Sequence, residues 1–176
     1  MSVAECLPAE RIDPPGIDPA AFRLAMRELA GGVSVVTTGR GALRTGLTAT
    51  SVTSLSAEPP ALLVCINRSS SVLQVLREHQ AFAVNILKAG HEDVADRFAG
   101  RSGAYGAARY GDAEWTELTT GMPVLADALA AFDCRVEAIL DWHSHAVVIG
   151  RIEALAVTGG DGALVYWRGS YRGVAP

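Results

Sequence analysis

The sequence is poor in charge and in aromatic rings. Of its 176 residues, 19% are charged and 6% aromatic, while 49% are hydrophobic. Disordered chains show the opposite balance, so most of this one must fold. Scarce aromatics leave the core to Ala, Val, Leu and Ile. A basic excess is also missing: 15 Lys+Arg against 19 Asp+Glu give a formal net charge of −4. A nucleic-acid-binding surface needs the reverse. Cysteine is sparse and odd in number, with Cys6, Cys65 and Cys134 far apart. That pattern fits neither a disulfide framework nor a zinc motif. Cys65 and Cys134 sit in apolar runs, where a free thiol acts as a small buried hydrophobe. No run approaches the roughly 18 apolar residues that span a bilayer. The chain does not start with a basic segment followed by an apolar one, so the expectation is a cytoplasmic protein without a secretory signal. His-Glu-x-x-His, Gly-x-Ser-x-Gly and a strand-linked Gly-x-Gly-x-x-Gly are absent as well. Those absences remove the common zinc hydrolase, serine hydrolase and Rossmann readings.

What is present fits one domain. Residues 1–19 carry Pro8, Pro14, Pro15, Gly16 and Pro19 and are expected to form a flexible N-terminal arm. Residues 20–176 then form a single domain. A chain this small and apolar is expected to hide part of its surface against another subunit or around a cofactor.

Asp18-Pro19 is a good helix start, since Asp caps free amides and Pro is tolerated in the first turn. Ala21, Phe22, Ala25, Met26 and Leu29 follow at helical spacing, and Gly31-Gly32 is expected to end the helix. Strands are expected over 33–38, 47–51, 61–66 and 82–87. Ser71 is expected to cap a helix over 72–79, and 92–99 reads as a short helix. Residues 100–111 hold four Gly and read as a mobile loop. Phe132, Cys134, Val136, Ala138 and Leu140 alternate with Asp133, Arg135 and Glu137, the pattern of a strand with one wet face. Residues 145–157 read as a long strand, with Gly150 a bulge or a point of close approach. Residues 163–167 read as the last strand and 169–176 as a tail. Many strands with few short helices favour an antiparallel barrel over a doubly wound sheet.

Three segments carry possible chemistry. Thr45 to Ser56 is dense in small hydroxyl residues and free of charge. Two readings fit it: a strand edge rich in Thr for β-propensity, or a surface of amides and hydroxyls against a planar heteroaromatic ring. Asn67-Arg68-Ser69-Ser70-Ser71 follows a strand and opens a helix. It fits ordinary capping and, equally, a phosphate site made of a helix N-terminus, hydroxyls and one Arg. Strand periodicity places Asp141, His143 and His145 on one face, a set able to bind iron or zinc. The plainer reading of that set is a polar strand end, with His145 alone acting in a cleft.

These segments together resemble the flavin reductase family, the small reductase components of two-component flavin monooxygenases. The resemblance covers roughly residues 22–173. It rests on Ala30-Gly31-Gly32-Val33-Ser34-Val35-Val36-Thr37 and on Gly46 to Ser56 followed by Pro59-Pro60. It also rests on Cys65 to Ser71, Phe82 to Leu87, Arg97-Phe98-Ala99-Gly100, Phe132 to Glu137, His145 to Ile152 and Leu164 to Tyr171. Their joint order makes the match specific.

The resemblance implies a mainly β fold with short helices: a split β-barrel of antiparallel Greek-key, FMN-binding type. It implies a homodimer with flavin near the subunit interface. It implies an NAD(P)H:flavin oxidoreductase, in which NADH or NADPH reduces FMN or FAD and reduced flavin leaves for a separate monooxygenase. Thr48, Ala49, Thr50 and Ser51 would line the isoalloxazine ring. Cys65, Ile66, Asn67, Arg68, Ser70 and Ser71 would follow the ribityl and phosphate end, and Phe98 would join the cofactor site. His145 would be the catalytic-cleft histidine on the nicotinamide side. No metal is implied. The family usually carries Gly-Asp before this His, whereas here His143-Ser144 stand there, which puts the loop shape in question. Two alternatives are a non-catalytic flavin carrier or sensor on the same barrel, and a metal-dependent oxygenase using Asp141, His143 and His145.

Overall fold

The computed structural model describes residues 16–111 and 113–175. Most of the expected N-terminal arm, with Cys6, therefore lies outside the described residues. Among the described residues no helix is long and apolar enough to cross a membrane.

Among the described residues three α-helices and twelve strands follow one another, with two short 3-10 turns between them: α1 (Pro19–Met26), β1 (Gly31–Gly32), β2 (Ser34–Thr38), β3 (Thr45–Ala49), β4 (Thr53–Ala57), β5 (Pro60–Asn67), α2 (Ser71–His79), β6 (Ala81–Ile86), α3 (Glu92–Phe98), β7 (Trp115–Glu117), β8 (Pro123–Leu125), β9 (Ala130–Trp142), β10 (His145–Val157), β11 (Ala163–Trp167) and β12 (Ser170–Val174). The main sheet has seven antiparallel strands in the order β3-β2-β6-β9-β10-β5-β4. A second sheet has the order β1-β11-β12, and β7-β8 is a separate pair.

The mainly β expectation stands, but the barrel does not. The two edge strands of the main sheet, β3 and β4, are not hydrogen-bonded to each other, so the sheet stays open. Only Thr50, Ser51 and Val52 join these edges, and this short link turns away from the ladder instead of closing it. Closing a sheet requires every strand to find two partners. Here the seam is left open at the segment in which sequence placed the chemistry.

Strand β2, next to the edge strand β3, is buried along its whole length. Its side chains alternate between two cores, as strand periodicity requires. Val36 joins Leu62, Val64, Leu73, Leu76, Phe82 and Val148 beneath α2. Val35 joins Val33, Leu87, Phe98, Tyr110 and Leu164 beneath α3 and the second sheet. This two-sided burial explains why 33–38 is β-branched at every position but Ser34. The buried Asn85 amide donates to Val35 O (3.0 Å) and accepts from Leu125 N (2.8 Å), pinning β8 against the sheet.

Local expectations held for β10 and β11, whose bounds match the sequence reading. At Gly150 both expected features occur. The β9–β10 register shifts there, and a Cβ would lie 2.5 Å from Phe82 Cζ. Asp18 caps α1, its carboxylate accepting from Ala20 N and Ala21 N. Three expectations change, and one segment without an assignment forms a strand. Gly31-Gly32 does not merely stop a helix but forms β1, paired with β11. The tail forms β12. The segment after Ser51 forms β4. The Gly-rich 100–111 segment carries the fully buried Tyr110, whose hydroxyl donates to Thr45 O at 2.8 Å, so it is anchored to β3.

Candidate functional site

The open seam creates the site. Beyond the start of β4, strand β5 has no strand partner on that side, and Cys65 would be left with unmatched backbone groups. Ser51 supplies the match. Its Oγ accepts from Cys65 N (3.2 Å) and donates to Cys65 O (3.0 Å). A side chain thus does what a paired strand would do, while leaving space that a strand would fill.

That space is a cleft of about 320 Å³ lined by Leu47, Thr48, Ala49, Thr50, Ser51, Cys65, Ile66, Asn67, Ser70 and His145. It gathers nine of the twelve expected site residues. Its volume falls in the range of small-molecule pockets. Because β3 is an edge strand, alternate backbone amides along it have no ladder partner and face the open side. The hydroxyls are less available than sequence suggested. Thr48 Oγ1 donates to Ala95 O at 2.6 Å, tying β3 to α3, and Ser51 is engaged with Cys65. The backbone of this segment is therefore its main polar offering.

At the far end stands the N-terminus of α2. The structure moves its cap by one residue: Ser70, not Ser71, accepts from Val72 N (3.3 Å), and Ser71 is the first helical residue. Asn67 Oδ1 accepts from Ser69 N (2.9 Å) and Ser69 Oγ (2.8 Å), fixing the turn into the helix.

Three expected residues do not line the cleft. Ser71 stands beside the cap. Arg68 turns away: its guanidinium donates to His143 O (3.0 Å), and its amide donates to Ser144 O (2.9 Å). It thereby clamps the β9–β10 turn that carries His145. Phe98 is buried behind β3 in a ring cluster with Tyr110 and Trp115. A Cβ at Gly46 would lie 2.8 Å from its ring, so Phe98 supports β3 from beneath.

His145 begins β10 and pairs with Trp142, leaving His143-Ser144 as a two-residue turn. His143 adopts φ +48°, a conformation that Gly takes without strain. The turn therefore breaks the strand periodicity assumed for Asp141, His143 and His145. Asp141 is instead paired with Arg77 and lies 3.9 Å from Arg68. Among the described residues, no group of three or more His, Cys, Asp or Glu side chains is placed to hold a metal. The Ser144 hydroxyl and His145 Nδ1 lie 2.9 Å apart, which leaves Nε2 for the cleft.

Two further cavities border the same segment, and sequence reasoning missed both. One of about 200 Å³ is lined by Val33, Thr48, Ala49, Thr50, Ala99, Arg101, Tyr166 and Tyr171. Another of about 730 Å³ lies between α1 and the β11–β12 turn. Thr50 lines all three cavities. Gly31 is what lets β1 lie against it, since a Cβ there would sit 2.9 Å from Thr50 Cβ. The Gly31-Gly32 pair was the available sequence signal, read only as a helix stop.

Residues 26–175 match the flavin reductase like domain. The chain belongs to the flavin reductase-like family. An FMN reductase (NADH), RutF 2, of Methylorubrum extorquens strain PA1 is 44% identical over 160 residues, covering 91% of this chain and 92% of that protein. Among solved structures, BorF, the flavin reductase component of a bacterial two-component tryptophan halogenase, aligns with a TM-score of 0.83 at 32% identity. That alignment covers 90% of this chain and 99% of BorF. The NADH:FAD oxidoreductase SgcE6 of Streptomyces globisporus C-1027, solved with NAD and FAD fragments, aligns with a TM-score of 0.81 at 29% identity. It covers 96% of this chain and 98% of that one. In this flavin reductase-like chain the cleft at the open seam is where nine of the twelve expected residues come together.

Proposed function

We propose that this chain is an NAD(P)H:flavin oxidoreductase that supplies reduced flavin to a separate monooxygenase component. The observation that carries the reading is the seam cleft, where edge-strand backbone, a helix N-terminus and a histidine converge within one cavity. The donor set fits a flavin: uncharged amides along Thr48 to Ser51 suit ring carbonyls and nitrogens. Ser70 and the first turn of α2 suit a phosphate. Cys65, Ile66 and Asn67 would follow the chain between them. A flavin held there, with a nicotinamide beside it, would supply the hydride-transfer chemistry.

The protein's contribution is then positional. Ser51 holds the Thr50–Val52 link at a fixed distance from β5. Edge amides of β3 orient the acceptor ring and stabilise the negative charge that it gains. His145 orients the nicotinamide through Nε2, with Ser144 and Arg68 fixing the turn that carries it. The protein works as a homodimer in the cytoplasm. In support of the dimer, α1 has no buried residue. Phe22 (57%), Met26 (45%) and Leu29 (66%) remain exposed at the cavity of about 730 Å³, and a second copy would cover them.

An anaerobic assay crossing FMN and FAD with NADH and NADPH tests the reading. Reduction in at least one combination is expected. Binding of flavin without reduction in any combination would leave a carrier and defeat the enzyme.

A further inference from the structure

The cavity of about 200 Å³ beside the flavin segment is a site in its own right. Tyr166 and Tyr171 face each other across the β11–β12 ladder, ring centroids 5.3 Å apart. Arg101, just beyond α3, lies over both rings, its Cζ 5.7 Å from the Tyr166 centroid and 5.5 Å from that of Tyr171. Its orientation is fixed at two points: Nη2 donates to Tyr166 Oη (3.2 Å) and Nη1 to Asp96 Oδ1 (2.9 Å). The opposite wall is Thr48, Ala49 and Thr50, whose other side lines the seam cleft. A cavity this small is below the size that encloses a whole ligand, so it suits one ring of a larger one.

Five points narrow the ring. Flat aromatic walls and a planar guanidinium favour a flat, electron-rich face. Asp96 balances the charge of Arg101, so the cavity is a poor phosphate site. A nicotinamide ring becomes cationic on losing hydride, and a guanidinium neighbour would oppose that form. A tricyclic flavin ring exceeds the space. Burial and the neighbouring Asp96 push the Tyr171 hydroxyl up to about 12, so this wall stays uncharged across the working range.

We propose that Arg101, Tyr166 and Tyr171 form a seat for the adenine ring of a dinucleotide whose reactive ring lies in the adjoining cleft. The inference rests on the oxidoreductase reading. FAD and the nicotinamide dinucleotides share this chemistry, and the two sources are separable.

The test titrates wild type, Arg101→Ala and Arg101→Lys with AMP, FMN, FAD and NADH, following AMP by saturation-transfer NMR. Arg101 is exposed, so both variants should fold, and circular dichroism checks this. Loss of one stacking face should weaken AMP about tenfold. Arg101→Lys keeps the charge but not the plane, and should behave like Arg101→Ala. FAD weakened in parallel with AMP identifies the flavin dinucleotide as the source; NADH weakened in parallel identifies the nicotinamide one. FMN, which lacks adenine, should shift less than twofold. AMP binding that is absent, or equal in all three proteins, overturns the seat. So does FMN weakened as much as AMP. Wild type that binds no flavin at all would instead refute the oxidoreductase reading.

Discussion

Replacing Ser51 with Ala tests the idea that a side chain closes what the sheet leaves open. The substitution removes both hydrogen bonds to the Cys65 backbone, at 3.0 and 3.2 Å. A neutral hydrogen bond contributes about 0.5–1.5 kcal/mol net, so the pair contributes about 1–3 kcal/mol. Cys65 is half-buried, and water entering the cleft recovers part of the loss. The expected destabilisation is therefore about 2 kcal/mol, a fall of about 4–8 °C in Tm for a domain of this size. The flavin effect is separate. Without its tether the Thr50–Val52 link samples open positions, and apparent affinity falls with the fraction that remains competent. An increase of about tenfold in flavin Kd follows. Urea unfolding followed by Trp fluorescence measures the first effect, and quenching of flavin fluorescence the second. Ser51→Thr, which keeps the hydroxyl, should recover most of both. A Ser51→Ala Tm within 1 °C of wild type would refute the bridging argument. Lower stability with unchanged flavin Kd would refute its link to the cleft.

Gly150→Ala drives a methyl into the Phe82 ring and should cost about 1–3 kcal/mol in chemical denaturation. His143→Gly relieves a left-handed backbone and should gain about 0.5–1 kcal/mol after the entropy of the added Gly, read as a rise in urea midpoint. His145→Ala should raise the apparent KM for the nicotinamide cofactor several-fold with little change in kcat, measured by stopped-flow at saturating flavin. The Asp127 carboxylate is held below its usual range, first by the Lys88 ammonium and then by His91. Its pairing is thus present above the ordinary Asp value of about 4 and fades as pH falls through the lower folded-state value. Wild type should exceed Asp127→Asn in Tm at pH 7 by at most a small margin, since the carboxylate is exposed, and lose that margin in acid.

The long strands were legible because their signals are local. Residues 145–157 and 163–167 are dominated by β-branched and apolar residues, and their bounds came out as read. Pairing is not local, and there the reading failed. Gly31-Gly32 punctuates a helix in sequence, yet its partner Tyr166 lies more than a hundred residues away, and only that pairing makes it a strand. The 169–176 segment becomes β12 for the same reason. Thr53 to Ala57 is polar and exposed, so nothing in its pattern distinguished an edge strand from a loop. At the site, residue types identified the cleft but not the direction of each group. Thr48 and Ser51 advertise hydroxyls, whereas packing directs both inward to backbone carbonyls. Arg101 went unnoticed because its aromatic partners arrive from the far end of the chain.

Helix α1 has a consequence of a different kind. Eight residues are fewer than the dozen or so that hold a helix together alone, and none of these eight is buried. Hydrogen bonds from Arg27 and ion pairing of Glu28 with Arg168 anchor only the chain just past its C-terminal end. Its persistence is then governed by mass action with whatever rests against it rather than by its own propensity. Phe22, Arg23 and Met26 form one wall of the cavity of about 730 Å³. On the homodimer proposed above, that wall is a function of dilution: the same polypeptide would present a different surface at trace concentration than at abundance, with no change of sequence, pH or ligand.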